Sequence, residues 1–259
     1  MLVSSLVQCI GDEPEFPPLT GDRGTPDDAA VANDAAVAND ASESGAPSRP
    51  LASVQQIAEA ATNSTSQSLR FRSPTTAGNL VLVGFTFKGN STVTVTDSQG
   101  NTLTEVGGPL TSPNGANTRV YYATNIQGGE ETVTVTLSAA SSRIELYLSE
   151  YSGVDPTNPV DGQAGAQGLG GEASSGNVTT SASGDLLYAF CVSDNTCSPN
   201  HGFTTQSSFS GNIVEDKIAG APDAYAATGN AKVDRDAGLG WTIQLVALRP
   251  AAAVPDAAP

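Results

Sequence analysis

The chain has 259 residues, 15% of them charged and 5% aromatic, and a formal net charge of −16. Phosphate binding needs a Lys/Arg surface, and 11 basic residues against 27 acidic ones exclude a nucleic-acid partner and disfavour adsorption to an anionic membrane. A composition rich in Gly, Ser, Thr, Asn and Ala suits an exported β-protein whose strands show Thr to solvent and whose turns use Gly and Asn.

In chain order, the first element is MLVSSLVQC. It is a short apolar run with Leu6 three residues before Cys9. It resembles the end of a bacterial lipoprotein signal, although Gln8 stands where that pattern has a small residue and no basic region precedes it. The resemblance implies that Cys9 is the lipidated residue of a mature protein, with residues 1–9 as a signal remnant. Contact with a membrane would then be through the lipid alone. Residues 10–50 follow as an acidic linker with a tandem hexapeptide, DAAVAN at 28–33 and again at 34–39. Such a segment has too few bulky apolar side chains to offset its ordering entropy, so it is expected to be a disordered tether. The tail at 251–259, AAAVPDAAP, repeats this chemistry.

Residues 51–250 form the expected folded domain. ASVQQIAEAA (52–61) reads equally as a short helix or as a first edge strand from Val54 to Ile57. LVLVGFTF (80–87) is apolar on both faces, as a central strand would be. TVTVTD (92–97) and TVTVTL (132–137) alternate with Val inward, and DSQGN (97–101) is a turn. RVYYAT (119–124), RIELYLSEY (143–151), DLLYAFCVS (185–193) and WTIQLVALR (241–249) are further strands, punctuated by Gly, Asn, Asp and Pro. The expected fold is all-β, a two-sheet β-sandwich of jelly-roll type whose strand order the hydrophobic pattern leaves open.

Cys191 and Cys197 flank a polar loop and are expected to form a disulfide, which implies an oxidising compartment. A metal site there has His201 alone to add, and the remaining reading is two free thiols. No G-x-S-x-G elbow, H-E-x-x-H or P-loop is present, so no catalytic residue is assigned. A sandwich glycosidase needs two carboxylates across a cleft. Strand alternation puts Glu145 outward and Glu150 inward, so this strand does not present such a pair.

The stretch EYSGVDPTNPVDG (150–162) concentrates acids and prolines after a strand. Ile144, Leu146, Leu148 and Glu150 share one parity, and the first three should face the core. Glu150 then needs donors, which the backbone of Gly153 to Asp155 is expected to supply. Pro156 and Pro159 suit a corner, and Asp155 and Asn158 can cap turns. The competing reading is a calcium site made by Glu150, Asp155 and Asp161; no other cofactor is implied. Tyr147, Tyr151 and Tyr121 are candidates for an aromatic sugar platform, although packing under loops or against the second sheet is the preferred reading. Trp241 has the parity of Ile243 and Leu245, which makes it core. The D-R-D triplet at 234–236 reads as a solvated turn.

Seven segments, TTAGNLVLVGFTF, TDSQGNTLTEV, RVYYATNIQGGEETVTVTL, EYSGVDPTNPVDG, DLLYAF, IVEDKIAG and GWTIQLVALRP, together resemble a recurrent β-sandwich module of secreted bacterial proteins. It is found beside fibronectin-like, adhesive and carbohydrate-associated domains. The resemblance implies a sandwich fold and export, and it transfers no activity and no binding residue. The expected function is a non-catalytic binding or adhesion module, exported to the outer-membrane surface or the medium. Its partner would be an extracellular polysaccharide or another surface protein. A structural subunit of a surface assembly and a carbohydrate-active enzyme are the alternatives.

Overall fold

The computed structural model describes residues 49–230 and 238–252. Cys9, the linker up to residue 48, the D-R-D triplet and the tail from residue 253 lie outside the described residues. Two antiparallel sheets face each other. The first contains β1 (Ala52–Arg70), β2 (Leu80–Lys88), β3 (Val93–Asp97), β4 (Thr104–Thr111), β5 (Ala116–Ala123) and β6 (Thr132–Ser152). Its order is β1-β6-β2-β5-β4, and β3 pairs with β6. The second contains β7 (Val160–Leu169), β10 (Leu186–Ser193), β11 (Thr204–Ser207), β12 (Ile213–Ile218) and β15 (Gly240–Leu248), in the order β11-β12-β10-β15-β7. Two short ribbons, β8 (Glu172–Ser174) with β14 (Thr228–Asn230) and β9 (Val178–Thr179) with β13 (Ala224–Tyr225), complete the pairing. The all-β sandwich expected from the sequence is therefore present, and the chain finishes one sheet before it begins the other.

The segment 52–61 is strand and not helix. Its helix-forming residues are overridden by a ladder to β6 that runs from Ala52↔Ser152 to Arg70↔Thr132. That ladder is irregular between Ser64 and Ser66, opposite Ser141, whose hydroxyl accepts from the Lys88 N–H and donates to the Arg143 carbonyl. The two halves of β6 meet other strands. Residues 133–137 pair with β3, while 144–151 pair with β2. Both halves nevertheless contribute to one buried cluster, Val133, Val135 and Leu137 beside Ile144, Leu146 and Leu148, together with Val81, Val83, Phe85 and Phe87. The paired strands thus bend and lay one half over the face of the other.

This bend buries the outer face of the first sheet. Its inner face, with Leu80, Leu82, Val120, Tyr147 and Tyr151, packs on Tyr188, Phe190, Val214, Val246 and Leu248 of the second sheet. The second sheet's outer face, Leu187, Ala189, Cys191, Ile243 and Leu245, is covered by Ala173, Val178, Ala219 and Ala227 of the ribbons and loops. Three apolar layers alternate with two sheets, which explains why β2 and β15 are buried on both faces. Trp241 belongs to the outermost of these layers, as its parity predicts, and its indole N–H donates to the Gly170 carbonyl at 3.0 Å.

Cys191 and Cys197 are bonded to each other and buried in that layer. The bond excludes the metal and free-thiol readings of this pair, and it leaves no thiolate for His201, which is exposed on a turn. At one flank of the sandwich, Gln163 and Gln167 of β7 accept from the backbone N–H groups of Gly107 and Thr111 on β4 (2.5 and 3.0 Å). At the other flank β1 and β11 occupy the outer positions of their sheets.

Candidate functional site

The stretch 150–162 is a corner, built differently from the sequence expectation. Glu150 is fully buried on β6. Its Oε1 accepts from the Thr76 N–H (2.8 Å) and Asn79 Nδ2 (2.6 Å), and its Oε2 accepts from Gln55 Nε2 (2.7 Å). The donors come from β1 and the loop before β2, not from the Gly153–Asp155 backbone. The Asp155 N–H instead donates to the Arg249 carbonyl. Asp155 caps its turn as expected, since Oδ1 accepts from the N–H groups of Thr157 and Asn158 (2.8 and 3.1 Å). Arg249 fastens the corner from the end of β15. Its guanidinium donates to the carbonyls of Asn158 and Val160 and to Asp161, and its N–H donates to the carbonyl of buried Pro159. No sequence periodicity signals this role for Arg249.

Glu150, Asp155 and Asp161 therefore serve three separate sets of donors. Among the described residues no group of acids, His or Cys is placed to hold a metal, so the calcium reading is not supported. Glu150→Ala should cost about 2–4 kcal/mol, because three donors lose their shared acceptor in a buried site. Glu150→Gln should cost less, about 1–2 kcal/mol, because the amide oxygen still receives Thr76 and Asn79 while only the bond from Gln55 is lost to an opposing NH2 group. Thermal melts of both variants, run with and without calcium, check this; equal losses in the two would contradict it.

Of the two readings of the tyrosines, packing is the one the structure bears out. Tyr147 and Tyr151 are fully buried between the sheets, because the folded-over half of β6 takes the opposite face of their strand. The Tyr147 hydroxyl lies 3.0 Å from Glu145 and 2.9 Å from the Phe209 carbonyl, and that of Tyr151 donates to Asp216 at 2.9 Å. Burial raises the pKa of both phenols. Tyr121 is half-buried, stacked on Phe85 at 5.8 Å, with its hydroxyl on Glu105. None of the three offers a free ring face in common with the others.

A cavity of about 470 Å³ opens at one end of the sandwich among Lys88, Arg143, Glu145, Asp194, Ser210 and Asn212. Glu145, expected outside, is buried at its floor. The polar groups here are engaged with one another. Arg143 pairs with Glu145 and donates to Ser210, Asn212 donates to Glu145, and Lys88 pairs with Asp194. Burial would raise the Asp194 carboxyl, but hydrogen bonds from Asn114, the Gly240 N–H and Lys88 outweigh it and hold the group below its ordinary value. This cavity is a set of closed charge pairs.

The second groove, about 390 Å³, has the opposite character. It is formed by the β3–β4, β5–β6 and β6–β7 connections and lined by Asn101, Thr104, Tyr122, Asn125, Gln127 and Thr157. Tyr122 shares the inward parity of Thr118 and Val120. It stands at the end of β5, where it is half-buried, packs against the inter-sheet core and lines the groove. No charged side chain lines the groove. Asn101 is held by Asp97 and by the Gln127 N–H. The hydroxyl of Tyr122 and the side-chain amides of Asn125 and Gln127 have no hydrogen-bond partner among the described residues. Sequence reasoning selected Tyr121 and passed over its neighbour. The available signal was position, since a tyrosine with inward parity at the last turnward residues of a strand stands at the rim of the core.

Buried acids form a third feature. Asp185 is fully buried beside Asp161, and neither of its oxygens has a donor among the described residues. Burial and the neighbouring Asp161 raise the Asp185 pKa to about 7. Burial acts against Asp161 too, but bonds from the Ser181 hydroxyl and N–H and from Asp185, with the Arg249 charge, lower it to about 2. Of the two, Asp185 is therefore the one that takes up a proton first as pH falls. Glu131, just before β6, is another buried acid: burial raises it to about 7, its Oε2 accepts from the Thr75 hydroxyl, and its Oε1 lacks a donor among the described residues. Burial raises Glu215 to about 7 and also raises Asp216.

Compared with protein-family models, with curated proteins and with solved structures, the chain matches none.

Proposed function

We propose that the protein is a non-catalytic binding module, exported to the cell surface or the medium, that takes a neutral polyhydroxylated face of a carbohydrate in the groove around Tyr122. The observation that carries this reading is the groove's inventory, the Tyr122 ring and hydroxyl beside the Asn125 and Gln127 amides, all uncharged and without a side-chain hydrogen bond among the described residues. Sugars offer apolar faces that stack on such rings and hydroxyls that pair with amides. The disulfide, the acidic Ala/Pro/Asp tether and the lipoprotein-like Cys9 support export, with a lipid anchor as the membrane contact.

A glycan array probed with the full chain tests this. Tyr122→Ala should weaken carbohydrate binding by about tenfold or more, while Tyr122→Phe, which keeps the ring, should stay within about threefold. Array binding unchanged by Tyr122→Ala, with melting behaviour intact, would remove the groove from consideration.

A further inference from the structure

A second concavity, about 280 Å³, adjoins the Tyr122 groove. Asn125 lines both, and the corner residue Pro156 faces one while Thr157 and Pro159 face the other. Asn125 is held at φ 50°, a left-handed conformation that Asn tolerates better than most residues, and it is exposed at the ridge between the two. Ligand sites typically measure about 300–1,000 Å³, so each concavity alone sits at the lower end of that range or below it, and the pair falls within it.

The two differ in charge. The first has no charged lining. The second contains Arg49, whose Nη1 lies 3.4 Å from Asn79 Oδ1 and which makes no ion pair among the described residues. No carboxylate lines either concavity, in a chain whose net charge is −16. Three acids lie close to this path with their oxygens engaged: Glu150 accepts from Gln55, Thr76 and Asn79, Asp155 from the Thr157 and Asn158 N–H groups, and Asp97 from Asn101. A planar guanidinium with no acid partner among the described residues, beside a lining that carries no carboxylate, suits a carboxylate on the ligand.

We infer that the site extends from Tyr122 across Asn125 into the concavity at Arg49, and that its ligand is an extended acidic polysaccharide, with a uronate carboxylate at Arg49. This rests on the carbohydrate reading of the Tyr122 groove and specifies it. A lone monosaccharide engages Tyr122 or Arg49 but not both, so affinity depends on chain length. The neutral units stack at Tyr122 and the acidic unit fixes the direction in which the chain lies.

The test is calorimetric titration of the full chain with neutral oligosaccharides, with uronate oligosaccharides of increasing length, and with the methyl esters of the latter. The esters keep the chain and remove the charge. Affinity should rise by about tenfold or more from a disaccharide to a hexasaccharide, and the esters should bind about tenfold more weakly than the acids. Arg49→Gln should bring acid and ester to the same affinity. Asn125→Asp, which keeps the backbone preference and adds a charge at the ridge, should weaken the acids more than the esters. Binding that Tyr122→Ala abolishes but that ignores length, esterification and Arg49→Gln overturns the extension and leaves the Tyr122 groove standing. Failure of every oligosaccharide to bind, or binding indifferent to Tyr122→Ala, overturns the carbohydrate reading and the extension together.

Discussion

Acidification from about pH 8 to about pH 5 is expected to stabilise the protein, by about 1–2 kcal/mol for each of the buried carboxyls that ionise late. In the unfolded chain these groups ionise near pH 4. In the folded chain Glu131, Asp185 and Glu215 ionise at about 7, chiefly because burial penalises their charge. Between about pH 4 and pH 7 the folded form therefore holds more protons than the unfolded one, so stability falls as pH rises through that window and levels off above it. Asp161, lowered to about 2, works in the opposite sense. Its contribution is present above about pH 4 and is lost as pH falls through 2. The maximum should lie near pH 4–5, below the common optimum of about 5–8. Melting temperature should rise by about 5–15 °C between pH 8 and pH 5.

Asp185→Asn isolates one share of this effect. The amide is the neutral isostere of the protonated acid and can donate to Asp161 at any pH. The variant should be about 1–2 kcal/mol more stable than the parent at pH 8 and show a shallower pH dependence. A melting temperature that is flat from pH 8 to pH 5, or an Asp185→Asn protein that is weaker at pH 8, would contradict the assignment of the proton.

The second large effect is expected at Gly153. It follows Tyr151 and Ser152 at the corner with φ 73°, a region that L side chains avoid. An added Cβ would lie 2.5 Å from the Arg49 carbonyl oxygen and 2.5 Å from the Leu51 nitrogen, both backbone atoms. Gly153→Ala therefore combines left-handed strain with a clash that no side-chain rotation relieves. The cost should reach about 3–5 kcal/mol, a fall in melting temperature of about 10 °C. Gly100→Ala is the control. It has φ 76° and nothing within 4 Å of the new Cβ, so it carries the strain alone, about 1–2 kcal/mol. Equal losses at the two positions would show that the contact of the corner with residues 49–51 contributes little.

The strands were legible where period and composition agreed. LVLVGFTF and WTIQLVALR are apolar on both faces and are buried on both faces. The disulfide was legible from its spacing. Parity along β6 misled because it was read against one core. Ile144, Leu146 and Leu148 do face a core, but Tyr147 and Tyr151 face another, and a single strand's alternation cannot reveal that its own far half folds back to cover it. Glu150 was identifiable as a buried carboxylate in need of donors, whereas the donors themselves, Gln55, Thr76 and Asn79, are distant in sequence and follow only from strand order. The Tyr122 groove was missed for the same reason, since three separate connections meet there.

The flank where Gln163 and Gln167 reach the β4 backbone has a consequence for self-association. Exposed strand edges are templates for further strands, and blocking them is a common defence against runaway pairing. Here the N–H groups of Gly107 and Thr111 are already occupied by side chains of the facing sheet, so this flank has little left to offer an incoming strand. The flank of β1 and β11 remains open among the described residues. A particle with one adhesive edge can join a second copy about a twofold axis, and that union uses up the edge on both. Growth then stops at two copies, whereas a fibre needs a head and a tail.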